Sequence, residues 1–472
     1  MLRRLYRLAR RIASPVHPNR IRARVKRVFD TFGWTHRYHV TVATIENFLR
    51  PHHPRRHLAT LRFLAQLWRT LRARRREKRL TVAVDITAFW EQRTGIGWYL
   101  YRLLEHLAHE DGLRLRLYGP DLVDTPDLPR RVVELPEGPA LEAVTYTVPE
   151  GMSISYVAMV GWLRRHVPWL IAADGNQLLF APNYFLPKWF RRAGGRLVAT
   201  VHDLSFERVP WTMREETRRD LEKHLRRTVE RAARVLTDSE TVRGELLDTG
   251  LVESWRVVAI HLGPGPLARV EAAEKPPGSP GRYVLHVGTL EPRKNLPTLL
   301  AAWRLWREAG GDPPPLVLCG RFGWKSDELR REVEAAVEEG WVHTFGYLED
   351  AKVAALYRDA LFVVLPSIYE GFGLPAVEAM AAGAALVASD IPVLREVAGD
   401  AARYAPPGEP EAWATACREL EADAEARSEL VRRGLERSRS FAWRRTASET
   451  LAVWREVAGR PTPIDRLQEK VR

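Results

Sequence analysis

Cysteine is nearly absent. Cys319 and Cys417 are the only two in 472 residues. That excludes a disulfide framework and fits a reducing compartment. Long apolar runs are missing too. The best stretch, SYVAMVGWLRRHVPWLIAA, is broken by Arg164, Arg165 and His166 and makes a poor membrane span. The N-terminus is basic but lacks the continuous apolar core of a signal peptide. No short tandem repeat is present, and no clear Asp-x-Asp metal clamp sits in a suitable loop. Acidic residues are scarce at one end only. Residues 1–79 hold 22 Lys/Arg and 3 Asp/Glu, a net of +19, while the rest of the chain nets −5. The overall charge of +14 therefore describes a near-neutral body with a strongly basic arm.

What is present fits a globular protein. Forty-five per cent hydrophobic residues and 16 Trp supply ample core for two or three domains. In the arm, Leu2, Leu5, Leu8 and Ile12 fall at helical spacing between arginines, as do Leu58, Leu61, Leu64, Ala65, Trp68 and Leu71. Pro15, Pro18, Pro51 and Pro54 divide it. From Leu80 the rhythm changes. LTVAVDIT, LRLRLYG, QLLFAP, GRLVATVHD and RVLTDSE read as strands, with helical stretches such as GWYLYRLLEHLAHE between several of them. The Gly- and Pro-rich stretch from Gly263 to Gly281 reads as a linker. Alternation then restarts with YVLHVG, PPLVLCG, WVHTFGY, LFVVLP and ALVASD. The expectation is α/β: two mostly parallel sheets covered by helices, with ligands at the carboxyl ends of strands. The division expected is a helical arm 1–79, a first domain 80–263, a linker 264–281 and a second domain 282–440.

Several strand ends carry suggestive residues. SIYEGFGLPAVEAMAAG (Ser367 to Gly383) reads as a glycine loop opening a helix at Pro375, with Gly383 as its cap. The free N–H groups of Phe372 to Ala376 suit an anion. Glu370 and Glu378 suit hydroxyls around it; the alternative is a capped helix with two solvated acids. Arg293 and Lys294 in VGTLEPRKN offer adjacent cations for a diphosphate. In CGRFGW, Gly320 permits close approach of a flat ring. In RTGIGWY, Gly95 and Gly97 could offer backbone N–H groups to a phosphate. His202 and Asp203 end another first-domain strand, where an isolated His is more often structural.

LHVGTLEPRKNLPTLLAAW, LPSIYEGFGLPAVEAMAAG and VHDLSFERVP resemble glycosyltransferase family 4, retaining enzymes of the GT-B fold. The resemblance covers roughly residues 80–460 and not the arm. It implies two Rossmann-like domains facing a cleft and a sugar nucleotide bound mainly by the second. It places Arg293 and Lys294 on the diphosphate, Glu378 on the ribose and Glu370 on the donor sugar's hydroxyls. The amides of Phe372, Gly373 and Leu374 would serve sugar and phosphate, Gly95 to Gly97 would close on the diphosphate, and His202 would stand beside the reacting sugar. SFAWRRTASETLAVWREV resembles a last helix, about 441–460, that returns to the first domain. Trp98 follows the glycine loop where the family varies.

The function this implies is retaining hexosyl transfer to a glycan or lipid-linked acceptor. Mannose is favoured, and GDP-mannose over a UDP-sugar as donor. No cofactor or metal is expected, because Arg293, Lys294 and the helix dipole can neutralise the leaving diphosphate. The arm has the composition of a helix lying on an anionic membrane surface, giving a cytoplasmic protein peripheral to the inner face of the cell membrane. Two other readings stand beside this one. One is a GT-B epimerase or phosphorylase, although no cofactor lysine of the pyridoxal type can be placed. The other is nucleic-acid binding through the arm, which has few aromatics for base stacking.

Overall fold

The computed structural model describes residues 79–89, 95–119, 123–124, 135–144, 146–147, 168, 171, 174–187, 190–191, 193, 195–265 and 273–459. The two amphipathic stretches of the arm and residues 266–272 of the linker lie outside them.

The first half holds β1 (Leu80–Asp85), β2 (Leu113–Tyr118), β3 (Val123–Asp124), β4 (Leu141–Ala143), β5 (Tyr146–Thr147), β6 (Leu178–Ala181), β7 (Arg196–Val201), β8 (Arg234–Thr237) and β9 (Val257–Ala259). Its helices are α1 (Gly95–Leu107), α2 (Ser205–Arg208), α3 (Glu215–Arg231) and α4 (Glu240–Asp248). The second half holds β10 (Val284–Val287), β11 (Leu316–Cys319), β12 (Val342–Phe345), β13 (Phe362–Leu365), β14 (Leu386–Ser389) and β15 (Arg403–Ala405). Its helices are α5 (Leu296–Glu308), α6 (Asp327–Glu338), α7 (Asp350–Asp359), α8 (Leu374–Ala381), α9 (Pro392–Ala398), α10 (Pro410–Ala422), α11 (Ala424–Ser438) and α12 (Trp443–Val457).

Two parallel sheets result. The seven-stranded sheet runs β4-β2-β1-β6-β7-β8-β9 and the six-stranded one β12-β11-β10-β13-β14-β15, while β3 and β5 pair apart. The central strands are continuous apolar runs because helices cover both faces. β1, β6, β11, β13 and β14 are buried at every position. Register is set by matching apolar positions, as in Val284↔Leu316 and Leu285↔Val363. Strand order reverses between β1 and β6, and again between β10 and β13. The loops leaving neighbouring strands diverge there and open a crevice.

Short edge strands escape the sequence pattern. β4, β9 and β15 are three residues each, and β15 is the partly exposed Arg-Tyr-Ala. The glycines of GIG also move. Gly95 and Gly97 lie within α1 (Gly95–Leu107), in helical conformation rather than in a loop.

The last helix returns to the first sheet. In α12, Trp454 is fully buried against Phe180 of β6, ring centroids 4.8 Å apart. Thr446 Oγ1 donates to His261 O at 2.7 Å and Trp443 Nε1 to Pro264 O at 2.7 Å. Arg234 pairs with Glu456. Replacing Trp454 with Ala removes a buried indole from the first-half core and is expected to cost about 3–5 kcal/mol. The urea transition reported by first-half aromatic signals should shift to lower denaturant. An unshifted transition would show that α12 only rests on the first sheet.

Candidate active site

The second-half crevice is built by two loops. One leaves β10 as Gly288–Asn295, ending in a 3₁₀ turn at Pro292–Lys294; the other leaves β13 as Pro366–Gly373 and opens α8. Because β10 and β13 are neighbours, the loops meet, and their charges pair. Lys294 Nζ donates to Glu370 Oε1 at 2.5 Å, and Arg293 Nη1 to Glu370 Oε2 at 2.8 Å. Ser367 Oγ adds a third donor at 2.7 Å. Glu370 is 7% exposed. Burial works against its charge, but Lys294 and Arg293 outweigh that and hold the carboxyl down at about 2.

Arg293 is shared further. Its Nε and Nη2 grip Glu291 Oε1 at 3.1 and 2.9 Å, and Nη1 also reaches Tyr369 O at 3.0 Å. The sequence reading gave the cations to a diphosphate and Glu370 to sugar hydroxyls as separate tasks. They form one cluster, which Glu291 and Ser367 also join. Glu291 lies inside the quoted TLEPRKN, and Ser367 begins the other loop, so both were within reach of the same strand-end logic.

The α8 N-terminus completes the crevice. Gly373 takes φ +87°, a left-handed value that suits glycine, and Pro375 follows at the helix start. The amides of Phe372, Gly373 and Leu374 donate to no protein group among the described residues. The Phe372 ring is buried against His261 and Phe441, centroids 5.7 and 5.8 Å away. Gly320 serves differently from the expectation. A Cβ there would lie 1.9 Å from Gly288 O, so glycine is required for two strand-end loops to touch.

Glu378 points from α8 toward the linker. Tyr357 Oη donates to it at 3.2 Å, and a Cβ at Gly265 would fall 1.8 Å from Glu378 Oε1. Burial, with a smaller push from Asp350, raises its carboxyl to about 8.

On the first-half side, His202 follows β7. Its Nδ1 lies 2.6 Å from Asp238 Oδ2 and its Nε2 2.7 Å from Pro182 O. Burial disfavours a charged ring, and Asp238 more than offsets that, so the His202 pKa is raised. Both ring nitrogens are thus engaged inside the protein. Asp238 lies in the quoted RVLTDSE strand end but was not singled out. Tyr99 of α1 stacks edge-on against His202 at 4.8 Å, which ties the GIG turn to this histidine.

The two sides touch. A Cβ on Gly371 would lie 2.0 Å from His202 O. Ser239 Oγ donates to Gly371 O at 2.8 Å, and Tyr369 Oη to Glu245 Oε2 at 2.7 Å. Glu396 of α9 accepts from the α4 amides of Glu240 and Thr241 at 2.7 and 2.8 Å, and lies 2.7 Å from His261 Nε2. These cross-half contacts join residues far apart in the chain and leave no local sequence signal. Among the described residues, no group of three His, Cys, Asp or Glu could hold a metal ion, and no helix is long and apolar enough to cross a membrane.

Comparison with known proteins gives this arrangement a family. Residues 93–264 match the Glycosyltransferase Family 4 model, and residues 270–437 match Glycosyl transferases group 1. The O-antigen chain mannosyltransferase B of Escherichia coli is 32% identical over 298 residues, 62% of this chain and 77% of that protein. A phosphatidyl-myo-inositol mannosyltransferase of Mycobacterium leprae (strain TN) is 29% identical over 305 residues, 61% of this chain and 76% of that protein. Sucrose-phosphate synthase from Thermosynechococcus elongatus has a similar structure, with a TM-score of 0.59 at 25% identity over 80% of this chain and 99% of that one. Matched by both models in tandem and by a relative that it covers for most of its length, this two-sheet GT-B chain belongs to the family 4 glycosyltransferases and is a hexosyl-transferring enzyme.

Proposed function

We propose that the enzyme moves mannose, with retention and without a metal, from GDP-mannose to a glycan or lipid-linked acceptor. The observation that carries this is the Glu370 cluster at the amino end of α8, where two cations and three unspent amides converge. A diphosphate in the crevice draws charge from Arg293 and Lys294 and hydrogen bonds from the amides of Phe372 to Leu374. Glu370 uses three of its roughly four lone-pair sites on the protein and has about one left for a sugar hydroxyl. It therefore aims both cations at the leaving group while touching the sugar. Arg293 and Lys294 offset the charge that develops as the sugar–phosphate bond breaks, the role a divalent ion would otherwise fill. Glu378 takes the ribose. His202, its two ring nitrogens held at Asp238 and Pro182, sets its backbone at the seam, which supports a positioning part rather than proton transfer.

Mannose as the sugar rests on two relatives named as mannosyltransferases. Their printed acceptor classes, an O-antigen chain and a phosphatidyl-inositol, support a glycan or lipid-linked acceptor. Peripheral membrane attachment rests on the composition of residues 1–79 alone.

Incubation with labelled GDP-mannose and UDP-glucose, followed by anomeric analysis of the product by NMR, tests the whole reading. Mannosyl product with the donor's configuration is expected; glucosyl product or inversion would overturn it. Glu370→Gln is expected to lower kcat by about tenfold or more and to change GDP affinity far less, since its hydrogen bond strengthens in the transition state. Near-normal turnover would remove Glu370 from the reaction. Replacing Arg293 and Lys294 together with Ala should weaken GDP binding far more than guanosine binding. Wild-type activity should survive EDTA, and rescue by Mn²⁺ after EDTA loss would contradict the metal-free mechanism.

Glu378 gives a pH test. Its carboxyl is raised from 4.5 to about 8 in the folded chain, so the fold holds a proton that the unfolded chain has released. Stability is then fully present below the unfolded value and falls as pH climbs through that window. Glu378→Gln keeps the neutral shape without the titration. Its Tm should match wild type at low pH and exceed it above the folded value. Parallel Tm curves for the two proteins would refute the assignment.

A further inference from the structure

Outside the crevice, the two halves meet again at the cleft's outer rim. The loop that follows His202 ends in a 3₁₀ turn at Pro210–Thr212, and the loop that follows Gly320 carries Trp324 and Lys325. Trp324 Nε1 donates to Thr212 O at 3.0 Å. Lys325 Nζ donates to Trp211 O at 3.0 Å and Met213 O at 2.8 Å. Lys325 holds φ at +51°, one of two positive-φ non-glycine residues among those described. A side chain kept in that strained conformation by bonds to the other half marks a built junction rather than a chance contact.

An open depression of about 650 Å³ lies on this junction, lined by Trp211, Met213, Arg214, Glu215, Glu216 and Lys325 among others. The Trp211 residue is 66% exposed and Trp324 50%, the largest apolar side chains left open on this rim. The Trp211 indole N–H, the Arg214 guanidinium and the Glu216 carboxylate engage no side-chain partner among the described residues. The depression thus offers a flat apolar plate, unspent donors and acceptors, and two basic beside two acidic side chains. A sugar ring has the matching faces: an apolar C–H face for the indole and a rim of hydroxyls for the mixed charges. Glu215 is already held by Arg218 and Arg219, and Lys325 by two backbone carbonyls, which leaves Arg214 and Glu216, one charge of each sign, for a ligand; that pairing favours a neutral ligand over an anionic lipid surface or nucleic acid.

We propose that this rim is a second glycan-binding site, which holds the acceptor chain several sugars away from its growing end. The proposal rests on the transferase reading, since both loops reaching the rim start at the candidate site. One half supplies Trp211, Arg214 and Glu216, and the other supplies Lys325. The site is complete only when the halves stand as they do here, so a bound chain favours the closed arrangement.

The test titrates full-length protein with mannotetraose by calorimetry, for wild type, Trp211→Ala and Trp211→Tyr. Trp211 is exposed, so neither change threatens the fold. Wild type is expected to bind saturably. Trp211→Ala should bind about tenfold more weakly, and Trp211→Tyr within about threefold of wild type because a ring remains to stack. As acceptor, mannotetraose should show the same rise in KM for Trp211→Ala, while KM for GDP-mannose and for α-methyl mannoside stays unchanged. Equal mannotetraose affinities in all three proteins, or no binding by wild type, would overturn the site. So would a Trp211→Ala defect confined to sedimentation with anionic vesicles. Mannosyl transfer with an unaltered Trp211→Ala affinity refutes the rim alone. Trp211-dependent binding without transfer from GDP-mannose refutes the donor assignment alone and leaves the rim standing.

Discussion

A carboxylate as buried as Glu370 cannot remain charged unaided, because the desolvation cost is several kcal/mol per ion. Its charge depends on Arg293 and Lys294, which lie 77 and 76 positions earlier in the chain. Nothing local brings these groups together. They meet because β10 and β13 are adjacent at the strand-order reversal, with their carboxyl ends level. The requirement propagates outward. Gly320 must lack a Cβ so the β10 and β11 loops can touch, and Gly373 must bend left-handed so the loop can turn into α8 behind the acid. The buried pairing is a weak source of net stability. Its effect is to fix where two cations stand before any donor arrives.

The same loop also holds the seam. Tyr369 and Gly371 flank Glu370, and both bond to the first half, through Glu245, Leu204 and Ser239. A ligand that shifts Glu370 by an ångström therefore strains contacts on either side of it. Residues 369–371 thus join the Glu370 cluster directly to the seam between the halves. His202 adds to this. Its ring is held at Asp238 and Pro182, so the strand end facing Gly371 has little freedom to adjust.

The sequence made the long central elements legible because burial on two faces demands continuous apolar runs, which survive in one dimension. It made the charged loops legible because they follow such runs directly. Three kinds of feature stayed hidden. Edge strands such as Arg403–Ala405 are short and half exposed, so they show neither run nor alternation. The helical conformation of Gly95 and Gly97 runs against glycine's poor helix propensity, so the GIG segment reads as a loop in the sequence. The pairing of Glu370 with Lys294, of Glu396 with His261 and of Lys325 with Met213 joins distant segments, and only folded geometry reveals such pairs. Residue types at the site could be read in advance, but how they spend their hydrogen bonds could not.

The return of α12 to the first sheet has a consequence for synthesis. The chain leaves the first half near Leu262, builds the whole second half, and comes back only at Trp443. Phe180 and its neighbours are made early, yet the indole that covers them is made only after the whole second half. The first half therefore waits, with one apolar face uncovered, while the second half is still being made. N-terminal-first folding cannot close it. A ribosome that stalls within the second half would release a product whose earlier half is sticky and unfinished, although every strand of that half has already been made.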